Sequence, residues 1–272
     1  MEALRMRKPF IAANWKMHKT VEDAVKFVEE VQHRLPSEDV LTCGIAAHFL
    51  ALYPMVQKTK GINLGVIAQN SYGEFSGPYT GEVSPRALAA AGVQYVMCGH
   101  IERRTLFHED NAMVAKKVAA VLQCGMTPII CTDETMVQQE FNGEVHYVFA
   151  QLMDVLSEVS FDQVKNIIIS YEPSWAVGVG QHANPTLAEE GCRLIRRSIA
   201  DTYSYEVADK IRILYGGSVN PENIQLIMSK RDIDGVLIGR ASLDADNFLT
   251  MVDRVAELYA PQKSAAKQPA KK

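Results

Sequence analysis

Eight short, apolar, β-rich runs recur along this chain, and each is followed by a stretch of helical periodicity. The runs fall at 10–16, 40–48, 63–70, 94–100, 127–132, 166–173, 211–218 and 235–241. Their hydrophobicity is continuous rather than alternating, the pattern of parallel strands buried on both faces. Such strands need cover on each side, and the intervening segments supply it. In the first, Thr20 is placed to cap a helix whose apolar residues Val21, Ala24, Val25, Val28, Val31 and Leu35 keep helical spacing. The stretch 187–203 has the same character. So does 221–228, with Asn220 as the expected N-cap and Pro221 at the first helical position. Eight β-then-α units without a break in composition predict an α/β fold, a closed eight-stranded parallel (β/α) barrel forming one catalytic domain over 1–260. An open, doubly wound sheet is the competing arrangement.

With 272 residues, 47% of them apolar, the chain has material for one large core. Lys and Arg number 28 against 32 Asp and Glu, a net charge of −4, which argues against nucleic acid as a partner. The five cysteines are odd in number and lack CxxC spacing, so reduced thiols in a reducing compartment are expected. Residues 1–10 are basic but contain no apolar core of signal-peptide length, and no stretch is long enough to cross a bilayer. The sequence therefore predicts a cytoplasmic protein with no membrane partner. Residues 261–272, which include KSAAKQPAKK, are expected to form a disordered tail.

In a barrel, reactive groups gather where strands end. The first strand ends in Asn14-Trp15-Lys16, the fourth in Cys98-Gly99-His100 and the sixth in Tyr171-Glu172-Pro173. The seventh ends in Gly216-Gly217-Ser218 and the eighth in Gly239-Arg240. Polar groups at buried strand ends cost desolvation unless they are paired or used. A carboxylate, a histidine and a lysine converging on one rim suit proton abstraction beside a carbonyl, with the oxyanion stabilised by imidazole or ammonium. Glycine turns let backbone N–H groups approach a phosphate. Each group alone has a plainer reading: Glu172 as a buried ion-pair partner, His100 as a structural histidine, Lys16 as a surface side chain, Gly216-Gly217 as a tight turn.

Seven segments lie in the order found in triosephosphate isomerases, which the chain resembles from Asn14 to about Leu243. They are NWK at 14–16, AQN at 68–70, PYTGEVSP at 78–85, CGHIERR at 98–104, YEPSWAVGVG at 171–180, YGGSVNPEN at 215–223 and DGVLIGRASL at 234–243. The resemblance implies Glu172 as the base and a neutral His100 as the electrophile, a pairing the general account of this enzyme type already describes. It implies Lys16 as the cation that offsets substrate charge and Asn14 as an orienting group. Glu102 and Arg103 would be supporting ionic residues. The segment 173–180 resembles a closing lid, and a substrate phosphate would meet backbone N–H groups of Gly178, Ser218, Gly239 and Arg240. The resemblance implies a phosphorylated sugar as substrate, no metal or organic cofactor, and a homodimer in which the loop bearing Thr80 enters the neighbouring subunit near Asn14 and His100.

The chain departs from the family pattern at several positions. Ile101 stands where serine is usual, removing a hydroxyl beside the base. The usual Gly-Thr-Gly-Lys of the lid is Gly178-Val179-Gly180-Gln181, and the usual Cys-x-Gly-Glu is Cys131-Thr132-Asp133-Glu134. Asp133 is thus expected to add a charge beside the lid. Arg240 replaces a glycine, as in some relatives that act on four-carbon ketose phosphates. The leading expectation is interconversion of dihydroxyacetone phosphate and D-glyceraldehyde 3-phosphate, within glycolysis and gluconeogenesis. The alternatives are an isomerase for another ketose phosphate, such as an erythrulose phosphate, and a non-catalytic binding or scaffold paralogue.

Overall fold

The computed structural model describes residues 7–134, 144–173 and 184–259. Each apolar run yields a strand: β1 Phe10–Asn14, β2 Thr42–Ala47, β3 Gly65–Ala68, β4 Tyr95–Cys98, β5 Thr127–Glu134, β6 Ile168–Pro173, β7 Arg212–Tyr215 and β8 Gly235–Ile238. Every neighbouring pair is parallel, and β8 pairs with β1, so the sheet is a closed barrel rather than a doubly wound sheet. Around it lie α1 Val21–Val31, α2 Phe49–Lys58, α3 Pro85–Ala90, α4 Ile101–Phe107, α5 Asn111–Gln123 and α6 Glu144–Leu156. The ring of helices continues with α7 Pro185–Thr202, α8 Tyr205–Lys210, α9 Ile224–Met228 and α10 Ala245–Tyr259.

The continuous apolar character of the runs follows from two cores. Successive side chains on a strand face opposite ways. Phe10 and Ala12 join Ile67, Ile129, Ile168 and Leu214 inside the barrel, while Ile11 and Ala13 pack outward against the helices. The first helix starts as its sequence predicts. The Thr20 hydroxyl accepts from the Asp23 N–H (3.2 Å) and the Asp23 carboxylate accepts from the Thr20 N–H (2.9 Å), closing a capping box.

After β7 the regular helix begins at Ile224, three residues later than Pro221. Asn220 nevertheless caps the turn before it: Asn220 and Asn223 exchange reciprocal backbone-to-side-chain bonds of 2.9 and 3.0 Å, and the Ile224 N–H donates to the Asn220 carbonyl (3.2 Å). Asn223 also donates to the Ser218 carbonyl. The tail expected at 261–272 lies outside the described residues.

At the foot of the barrel a buried carboxylate, Asp234, is compensated on several sides. It accepts from Arg7 Nε (2.7 Å) and the Ile213 N–H (2.9 Å) and pairs with Arg196 of α7. Beside it, β8 closes on β1 so tightly that a Cβ on Gly235 would lie 2.1 Å from the Phe10 carbonyl oxygen. The obstacle is backbone, which cannot swing aside as a side chain would. Gly235→Ala is therefore expected to destabilise the protein by about 3 kcal/mol or more, at or beyond the usual overpacking range. A urea midpoint unchanged from wild type would show that the barrel seam is not so constrained.

Candidate active site

The C-terminal ends of the strands open onto a cavity of about 650 Å³. Asn14, Lys16, His100 and Glu172 all border it, although they come from three strands far apart in sequence. Ser218, Gly239 and Arg240 complete the opposite wall. Gly178, Val179, Gly180 and Gln181 lie outside the described residues, as does most of the segment read as a lid.

Lys16 is not carried by strand alternation, because β1 ends at Asn14. Its backbone is in the left-handed region (φ 52), an uncommon conformation for a side-chain-bearing residue. Two contacts fix it there. The Lys16 N–H donates to Asn14 Oδ1 (3.0 Å), and Gln69 Nε2 donates to the Lys16 carbonyl (2.8 Å). Gln69 also reaches Asn14 Oδ1 at 3.3 Å, so one amide binds both residues into a unit. The ammonium of Lys16 lies 2.5 Å from Glu102. Gln69 follows β3, and the strand-end rule that picked out Asn14 and His100 applies to it equally.

His100 caps α4. Its Nδ1 accepts from the Glu102 N–H at 3.2 Å. A nitrogen that accepts carries no proton, so this geometry assigns a neutral ring with its hydrogen on Nε2. That Nε2 is 3.7 Å from Glu172 Oε2. Glu172 is only 2% exposed. Oε2 accepts from the Ile101 N–H (3.3 Å), and Oε1 from the Ser170 hydroxyl (3.4 Å). The space for this carboxylate depends on Gly216, where a Cβ would meet Glu172 Cγ at 2.7 Å. Gly216 thus does more than form a turn.

The other wall suits an anion. Gly239 precedes a 3₁₀ turn, Arg240–Ser242, and the first N–H groups of such a turn lack partners within it. A Cβ at Gly239 would lie 3.8 Å from Lys16 Cε, so the two face each other across the cavity. Arg240 itself is exposed.

Behind His100 sits a buried ionic cluster that periodicity did not single out. Glu109 accepts from Lys117 (2.5 Å) and from Arg103, and Lys117 also donates to Asn70 Oδ1 (2.8 Å). Arg104 donates to the Gly99 carbonyl (2.8 Å) and to Asn111 Oδ1 (2.8 Å). Asp133, expected as an added charge beside the lid, is instead buried. It is bonded to Gln151 Nε2 (2.7 Å) and lies 3.7 Å from Arg104 Nε, so its charge is compensated inside the protein.

A family model described as triosephosphate isomerase matches residues 9–255. The chain belongs to the triosephosphate isomerase family. A triosephosphate isomerase of Lactiplantibacillus plantarum is 47% identical over 248 residues, 91% of this chain and 98% of that protein. Those of Streptococcus agalactiae and Streptococcus gordonii are each 45% identical over 249 residues, 92% of this chain and 99% of their own. Kinship of that extent favours triosephosphate isomerase over the four-carbon ketose alternative and over a scaffold paralogue.

A thiol, Cys131, lies against Glu172. Burial, followed by the neighbouring Glu172 charge, pushes the Cys131 thiol well above its ordinary range. Burial pushes Cys98 up to about 12, and Cys43 and Cys192 higher still. All five cysteines are free, and Cys124 alone among them is partly exposed. Because the thiolate is the reactive form, a raised pKa keeps a buried thiol inert until well above neutral pH. At pH 8 the native protein is expected to give one thiol equivalent to a disulfide reagent, lost in Cys124→Ser, and five equivalents when denatured. Two or more fast-reacting thiols in the native protein would contradict this.

Proposed function

We propose that the chain interconverts dihydroxyacetone phosphate and D-glyceraldehyde 3-phosphate by proton transfer through an enediolate. The observation that carries this is the convergence of Glu172 and His100 on one side of the cavity, 3.7 Å apart, with the ring proton assigned to the nitrogen that faces the carboxylate. Glu172 takes a proton from C1 of the ketose, leaving the pair of electrons to form the enediolate double bond. The His100 Nε2–H donates to the developing oxyanion, and the Lys16 ammonium, held across from Gly239, offsets its charge. The hydroxyl proton on O1 passes to O2 beside the His100 ring, and Glu172 returns the carbon proton to C2, giving the aldose. A neutral imidazole fits this task because it donates a hydrogen bond without being a strong acid.

In this reading the phosphate lies against the backbone N–H groups of Ser218, Gly239 and Arg240, joined by Gly178 when the lid segment closes. Closure excludes water and keeps the enediolate from expelling phosphate. Asn14, tied to Lys16 through Gln69, orients the substrate. The strained Lys16 backbone is better suited to a working site than to a scaffold, since nothing in packing alone asks for it. Glu172→Gln is expected to lower kcat by about 10³-fold, within the range a positioned general base supplies. Isomerisation of glyceraldehyde 3-phosphate by purified protein checks it, and an active Glu172→Gln enzyme would exclude the carboxylate as base.

In the same reading the enzyme works in the cytoplasm, in glycolysis and gluconeogenesis, as a homodimer. Thr80 is exposed on the loop between β3 and α3, which Ser84 closes by donating to the Phe75 carbonyl (2.6 Å). Met17, next to Lys16, is 95% exposed, an apolar side chain beside the site that a partner's loop would cover. Thr80→Arg is expected to yield monomers in light scattering and to lower kcat by about 100-fold, the cost of a small misplacement of reacting groups. A fully active dimer would remove this loop from the interface.

A further inference from the structure

Ser170 lies two residues before Glu172 on β6, the same side of the strand as Ile168, whose side chain is inside the barrel. It is completely buried, a costly place for a hydroxyl without a partner. Its partner is Glu172 Oε1 at 3.4 Å, while the Ile101 N–H serves Oε2 at 3.3 Å. Each carboxylate oxygen therefore receives a donor, one from its own strand and one from the start of α4. Ile101 brings only a main-chain donor to this pair, because its side chain is hydrocarbon.

We propose that Ser170 is a positioning residue for the base, its hydroxyl orienting the ionised Glu172 carboxylate towards the cavity together with the Ile101 N–H. The proposal rests on the reading of Glu172 as the base. Both bonds are longer than the usual 2.5–3.0 Å of a hydroxyl donor or the roughly 2.9 Å of an amide donor. Long bonds suit a group that must leave them, because a short, charge-assisted bond would hold the carboxylate back from the substrate. Gly216 on β7's C-terminal side leaves room for both groups, since a Cβ there would lie 3.0 Å from Ser170 Oγ and 2.7 Å from Glu172 Cγ.

Among the described residues, three further groups face the carboxylate. His100 Nε2 faces it from α4, the Cys131 thiol from β5, and Lys16, paired with Glu102, from across the cavity. Asp133 is the register neighbour of Glu172 on β5, but it is turned to Gln151 and Arg104. Among these, Cys131 stays protonated through burial and is a weak donor, which leaves Ser170 as the hydroxyl that favours the charged form.

The test is kcat/KM against pH for wild type, Ser170→Ala and the double variant Ser170→Ala/Ile101→Ser, with Glu172→Gln alongside. Losing a donor to the ionised form is expected to move the acid limb of Ser170→Ala up by about half a pH unit. Alanine nearly matches serine in volume, so a purely space-filling role for Ser170 would leave the limb in place. A hydroxyl at 101, whose own N–H already touches Oε2, is expected to return the limb towards wild type. Superimposable limbs for wild type and Ser170→Ala overturn the proposal, and so does a shift that persists unchanged in the double variant. Retained turnover in Glu172→Gln would instead remove the base reading on which the proposal stands, so the two failures are distinguishable.

Discussion

Every functional contact in this protein depends on β8 closing against β1. The seam leaves no room for a Cβ at Gly235, where the Phe10 carbonyl oxygen would be 2.1 Å away. Without that closure Lys16, following β1, and Gly239, following β8, would not face one another. Asp234 and Arg196 reinforce the seam from below, where charge buried in pairs is tolerated because each partner and several backbone groups are satisfied. The foot of the barrel holds the ring together, and the opposite rim is left for chemistry.

At that rim the same physics is used differently. Polar groups taken from water are secured by partners, but the partners stop short of immobilising the reacting atoms. Gln69 locks Asn14 and the Lys16 backbone, which must not move. His100 is fixed through Nδ1, leaving Nε2 directed at the cavity. Glu172 is held by long bonds from Ser170 and Ile101 and by the weakly donating Cys131 thiol. In the proposed reaction, rigidity falls on the groups that orient substrate and latitude on the group that shuttles the proton. The ionic cluster of Glu109, Lys117 and Arg103 supports this rim from behind α4.

Much of this was legible in the chain. Continuous apolar runs located all eight strands because a strand covered on both faces has no polar side to show. Strand ends pointed to Asn14, His100 and Glu172, since polar residues just past buried runs need a reason to be there. The resemblance in seven motifs supplied roles that periodicity does not contain. Less legible were Gln69 and Ser170: Gln69 bridges to a strand 55 residues away, and Ser170 is hidden within a run that reads as core. Asp133 looked like a free charge because its partners Gln151 and Arg104 lie 18 and 29 positions away.

The sequence by itself determined the elements and their order, because periodicity, capping residues and turn chemistry act over a few residues. Thr20 and Asp23 build their capping box without help from the rest of the fold. Only the tertiary structure decided the closure of the ring, the Gln69 bond that fixes the left-handed backbone of Lys16 and the Ile101 N–H donated to Glu172. Those features arise between residues separated by tens to hundreds of positions, and hydrogen bonds across such separations exist only once burial has brought the strands together.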